Sequence, residues 1–191
     1  MKAKYLFVLI FSSLTFPLFA DSKFEGKWTA VCRADASQYS QETVVYSGNS
    51  ATLTLLGAND PKCKNVWLKA TMTTTLNVGA GFSQGDIEVH PVDFIFSKVL
   101  FSFYDSAVIA HLNNSQYCGY SDWALGAEKD VTGRTCDGKP MPKSGEGVYD
   151  IAAVHGDKLY GGKRDFEFNG TSPEKRPAEL DRSRPFVKRG M

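Results

Sequence analysis

Val66-Trp67-Leu68-Lys69-Ala70-Thr71-Met72-Thr73-Thr74-Thr75-Leu76 is the stretch whose pattern decides the fold. Val66, Leu68, Ala70, Met72, Thr74 and Leu76 fall on one face, while Lys69, Thr71, Thr73 and Thr75 fall on the other. A period of two marks a strand with one buried and one solvated side, and a row of threonines suits a pleated outer surface. Gly79-Ala80-Gly81 ends it. Upstream, Glu42 to Ser47 and the alternating Ala51, Leu53 and Leu55 flank Gly48-Asn49, which reads as a hairpin. Asn59-Asp60-Pro61 then marks a loop that delivers Cys63.

Downstream, Asp86 to His90 and Val92 to Phe103 continue the sheet, with Pro91 as a break or bulge. With regular pairing Phe94 and Phe96 face one way, and Phe101 and Phe103 the other. One helix is expected: Asp105 caps Ser106 to Leu112, and Asn113-Asn114 ends it. The stretches 119–135 and 137–147 have no regular assignment. Val148 to His155 and Lys158 to Tyr160 form a second hairpin across Gly156-Asp157, Phe166 to Phe168 a further short strand, and Pro185 to Arg189 the last one. Ser172 to Arg184 reads as a polar surface loop. Seven to nine short antiparallel strands need a partner for every edge, and closure into a barrel supplies it. A two-sheet sandwich is the alternative.

At the front of the chain, Met1-Lys2-Ala3-Lys4 is basic, Tyr5 to Phe11 is apolar, and small Ala20 precedes polar Asp21-Ser22. That order is expected of a secretory signal over residues 1–20, with residues 21–191 as one disulfide-stabilised domain. No later run approaches a membrane span, since Phe94 to Phe103 is broken by Ser97, Lys98 and Ser102. The formal charge is +1 and there is no basic block, so nucleic acid is not expected as a partner. Four cysteines in an exported chain imply two disulfides, of three possible connectivities. The sequential one is expected, Cys32 with Cys63 and Cys118 with Cys136, because the latter two bracket a single turn-rich stretch. These spacings do not suit zinc.

The first strand of the mature chain carries Phe24, Gly26, Trp28, Ala30 and Cys32 on one face. Gly26-Lys27-Trp28 resembles the Gly-x-Trp signature of lipocalins and their bacterial relatives. The chain also looks like a group of small exported bacterial proteins of unassigned activity, in Cys118 to Leu125, Lys129 to Gly133 and Arg176 to Asp181. The resemblance implies an antiparallel, lipocalin-like barrel of about eight strands, mainly β, with the short helix mid-chain. It also implies that Gly26 and Trp28 close one end, with Trp28 under an arginine; Arg182, Arg184 and Arg189 are the candidates.

No His-Glu-x-x-His, phosphate loop or Gly-x-Ser-x-Gly occurs, and His90, His111 and His155 lie far apart in sequence. No catalytic residue, metal or cofactor is expected, and an enzyme is the least favoured class. The favoured class is a periplasmic or secreted protein holding a small apolar or amphipathic ligand. Phe94, Phe96, Phe101 and Trp123 are its candidate contacts, with Trp123 on a recognition loop or else packed on the barrel wall. The rival is a protein-interaction module, such as an adhesin or an inhibitor of a secreted enzyme, with a solid barrel and functional loops.

Overall fold

A computed structural model describes residues 23–35 and 38–190. The segment expected to be a signal lies outside these residues. Among the described residues thirteen strands run in chain order: β1 (Gly26–Ala30), β2 (Arg33–Asp35), β3 (Gln38–Ser47), β4 (Ser50–Ala58), β5 (Val66–Val78), β6 (Phe82–Gln84), β7 (Ile87–Phe103), β8 (Lys129–Asp130), β9 (Thr135–Cys136), β10 (Lys139–Pro140), β11 (Gly147–His155), β12 (Lys158–Gly161) and β13 (Phe186–Arg189). The α-helix α1 (Ser106–Asn114) follows β7.

Eight of the strands close a barrel. The order is β1-β3-β4-β5-β7-β11-β12-β13, each antiparallel to the next, and β13 returns to β1. Consecutive barrel strands are therefore neighbours, the up-and-down arrangement that leaves no unpaired edge. β2 prolongs β1 along β3, β6 folds against the start of β7, and β8 pairs with its last third.

Two irregularities in β7 decide which way its side chains point. Pro91 falls where the partner changes from β5, which pairs as far as Val92, to β6, which pairs from Val89. Its carbonyl accepts from Gly79 N–H on that side, so the missing Pro N–H faces the junction and breaks no ladder. At Ser97 the register slips: Thr74 opposes Phe96, yet Thr73 opposes Lys98. The extra residue resets the alternation. Phe94, Phe96, Val99, Phe101 and Phe103 thus all share the concave face with Leu76, Thr74, Met72, Ala70 and Leu68. The expected split of the phenylalanines between two faces is corrected by this bulge.

At the end of the barrel away from α1, Trp28 is fully buried among Phe24, Tyr46, Ala51 and Leu76. Its indole N–H donates to the Phe24 carbonyl at 2.7 Å. The cation over its ring is Lys188, 5.0 Å from the centroid and directly opposite in the β1–β13 register. None of the three candidate arginines takes that place. Arg182 lies 3.8 Å from Asp86, Arg184 3.6 Å from Asp181, and Arg189 opposes Lys27. Two disulfides join Cys32 to Cys63 and Cys118 to Cys136, the sequential pairing.

At the open end two long connections cover different sectors. Residues 104–146 form a cap. Asp105 accepts from the N–H groups of Ala107 and Val108 to start α1, as its position before an apolar run leads one to expect. Cys118 bonds to Cys136, and β8 replaces β11 as the neighbour of β7 at Leu100 and Phe101. Residues 162–185 form a strap beside β11. They hold one turn of tight helix at Pro173–Lys175, and Phe166 to Phe168 is not a strand. Phe166 is fully exposed, its turn made instead by Asp165, which accepts from the N–H groups of Glu167 and Phe168.

Candidate functional site

Inside the barrel lies a cavity of about 710 Å³. Its apolar wall comes from alternate residues of consecutive strands, including Val44 and Tyr46 of β3, Ala51 and Leu53 of β4, Met72 of β5, Phe94 and Phe96 of β7, Val148 and Ala152 of β11, Leu159 of β12 and Phe186 of β13. Period-two patterning delivers this set, because in a closed barrel every inward residue faces one shared interior. The volume falls within the range of small-molecule sites. The space reaches the surface among the exposed side chains of Lys163, Arg164, Ser183 and Arg184 on the strap.

The strap stands where β12 is too short to pair with the first half of β11. Tyr149 N–H donates to the Gly170 carbonyl instead of to a strand. Arg176 fastens the crossing: one terminal nitrogen donates to the carbonyls of Val92 and Asp150 at 2.9 and 2.6 Å, the other to the Asp93 carboxylate at 2.6 Å. Pro177 is buried, and Leu180 packs on the outer face with Ile87, Val89, Ile151 and Ala153. Asp150, itself on the cavity wall, accepts from Gly162 N–H at 3.0 Å and from Arg164 at 2.8 Å. Gly162 admits no side chain, since a Cβ there would collide with both Asp150 and Pro177.

Polarity rises from floor to mouth. Arg33 pairs with Glu42 at 2.7 Å, and Asp181 with Arg184 at 3.6 Å. Hydrogen bonds from Ser183 hold the Asp181 carboxyl below the usual carboxylate range. Deeper in, burial raises the Tyr46 phenol well above its ordinary value, and the negative charge of Asp150 adds to the effect.

The four aromatic candidates separate into two places. Phe94 lines the cavity. Phe96 lines it too, and also belongs to a second core under the cap with Phe101, Phe103, Leu112, Trp123 and Val131. Phe101 and Trp123 lie in that second core and do not reach the cavity wall. Trp123 is 3% exposed, meets Phe103 edge to face at 4.9 Å, and donates from its indole to the Tyr117 carbonyl. Asn113 at the end of α1 bonds both the N–H and the carbonyl of Trp123. Lys129 stands over the rings of Tyr120 and Trp123 and pairs with Asp122 at 2.7 Å. Asp122 and Lys129 therefore pair locally around a packed ring, while Glu128 reaches Lys69 of β5 at 3.3 Å.

His90 is buried against Phe24, engaged by Lys23 at Nε2 and by the Gly79 carbonyl at Nδ1; His111 and His155 are exposed on α1 and a hairpin. Among the described residues no group of three His, Cys, Asp or Glu side chains is placed to hold a metal. No helix there is long and apolar enough to cross a membrane.

Sequence reasoning missed Asp150, Lys163, Arg164 and Arg176. A signal was available for Arg176, since Arg176 to Asp181 stood out as a run, but nothing in it says that the arginine reads strand carbonyls. No protein-family model matches the chain, and no curated protein matches its sequence. The fold alone sets the class: a mainly β protein with a closed, antiparallel, eight-stranded barrel, compatible with a lipocalin-like architecture.

Proposed function

We propose that this is an exported binding protein that holds one small apolar or amphipathic molecule in its barrel, in the periplasm or outside the cell. The observation that carries the reading is the cavity of about 710 Å³ with an apolar wall and a mouth at the strap. Two disulfides suit an oxidising compartment and support the export part of the proposal. The Gly26-x-Trp28 start and the closed topology agree with a lipocalin-like carrier.

The rival, a protein-binding module with a solid barrel, fits less well, because the space between β3 and β13 is not filled by side chains. Native mass spectrometry of the mature protein from its own host, before and after solvent extraction, tests the choice. A reproducible extra mass that leaves with the solvent is expected. A bare polypeptide that also takes up no added amphiphile would overturn the carrier reading.

A further inference from the structure

The mouth of the cavity carries an unequal set of charges. All the charged residues on its wall sit toward the open end: the acids Glu42, Asp150 and Asp181, and the cations Arg33, Lys163, Arg164 and Arg184. Each acid is already matched, Glu42 by Arg33, Asp150 by Arg164 and Asp181 by Arg184. Lys163 is the fourth cation. Its side chain is exposed and makes no contact ion pair among the described residues; the acid that feels its charge is Asp181, which already has Arg184 at 3.6 Å. The rim thus holds one cation more than acids, and two residues before Lys163 on the cavity wall is Gly161, where a Cβ would meet nothing within 4 Å, so open space adjoins the excess charge.

Below this rim the wall turns apolar, through Phe186 and Leu159 down to Tyr46 and Ala51. A ligand that uses both parts has a hydrocarbon body and one negative charge at its end. A cationic head would meet a rim with one cation more than acids, and a neutral one would leave that excess charge uncompensated.

We propose that the cavity takes an amphiphile with a single anionic head group, a carboxylate or sulfate. The head sits against Lys163 in the space beside Gly161 and the chain points to the Trp28 end. The proposal rests on the carrier reading above and narrows it to a ligand class. Because Lys163 is solvated, the head-group preference is moderate and screened by salt.

Titration calorimetry on the delipidated full-length mature protein tests it with three probes of one chain length: decanoate, 1-decanol and decyltrimethylammonium. Decanoate is expected to bind about tenfold more tightly than decanol at low salt, with decyltrimethylammonium weakest. Lys163→Glu is expected to abolish the preference for decanoate over decanol in a protein that still melts as the wild type does. Equal affinity for decanoate and decanol, or a preference that survives Lys163→Glu, would overturn the head-group proposal and leave the carrier reading standing. Binding of none of the three would overturn both.

Discussion

On the β5–β7 side of the open end, Phe101, Phe103 and Trp123 meet ring to ring beneath a disulfide-bonded cap. On the β12–β13 side, side chains of the same alternating kind stand around an open space of about 710 Å³. Both regions are made by inward-pointing apolar residues of one barrel. They differ in what the neighbouring connection contributes. The cap brings its own core, with Leu112, Cys118, Trp123, Val131 and Cys136 all buried. The strap brings Arg176 and Leu180 to the outside of the wall and leaves the inside to charged residues at a rim. Alternation therefore selects which residues face inward, and the loops decide whether the interior is filled.

Matched truncations give the sharpest way to break this comparison. Phe101→Ala is expected to cost about 3–5 kcal/mol, since it removes a buried ring and leaves a new void. Phe94→Ala borders space that already exists, so the void penalty is largely absent and the loss is expected to stay below about 2 kcal/mol. Denaturant melts of the two variants check this, and equal losses would mean that the hollow half is packed as tightly as the capped one.

Removing the cap's staple comes next in size. The double variant Cys118→Ser with Cys136→Ser frees a loop with a separation of 18 residues, worth about 3 kcal/mol in the chain-entropy model. Hydrogen exchange should show the cap around Trp123 loosening first, while exchange in β1 and β13 stays slow.

The smallest effect at neutral pH is at Tyr46, and it grows in alkali. Burial raises its folded-state pKa, so between the ordinary value of about 10 and the folded one the unfolded chain ionises and the native one does not. Its contribution is complete below about pH 10 and is lost as pH rises above that value. Tyr117 under the cap is shifted upward in the same way. Tyr46→Phe should leave stability at pH 7 nearly unchanged and make its fall above pH 10 shallower, as read from urea midpoints across pH.

Much of the fold was legible in the chain because it follows from local pattern. The threonine-flanked strand from Val66, the hairpins at Gly48-Asn49 and Gly156-Asp157, and α1 behind its Asp105 cap all appear where periodicity and turn chemistry place them. What was not legible depends on partners. The slip at Ser97 exists only relative to β5, so the facing of Phe101 had no local signal. The short strands β8, β9 and β10 depend on β7, the Cys118–Cys136 bond and each other. Lys188 rather than an arginine covers Trp28 because register across β13 sets the choice. For the site, Phe94 and Phe96 were accessible as aromatic inward residues, whereas Asp150 and Lys163 matter only once the strap lies across β11.

The central claim is that the half of the barrel beside the strap is hollow and able to take a guest, and filling it is the most direct test. Leu53 is half-buried on the cavity wall, away from the capped core's buried rings. Binding of a neutral naphthylamine fluorophore to delipidated wild-type protein and to Leu53→Trp is the measurement. Saturable one-to-one binding by the wild type, lost in Leu53→Trp while Tm is kept or raised, is the predicted result. Binding that survives the filled barrel would contradict the account, as would a wild-type protein that does not bind and a Leu53→Trp variant destabilised as an overpacked core is.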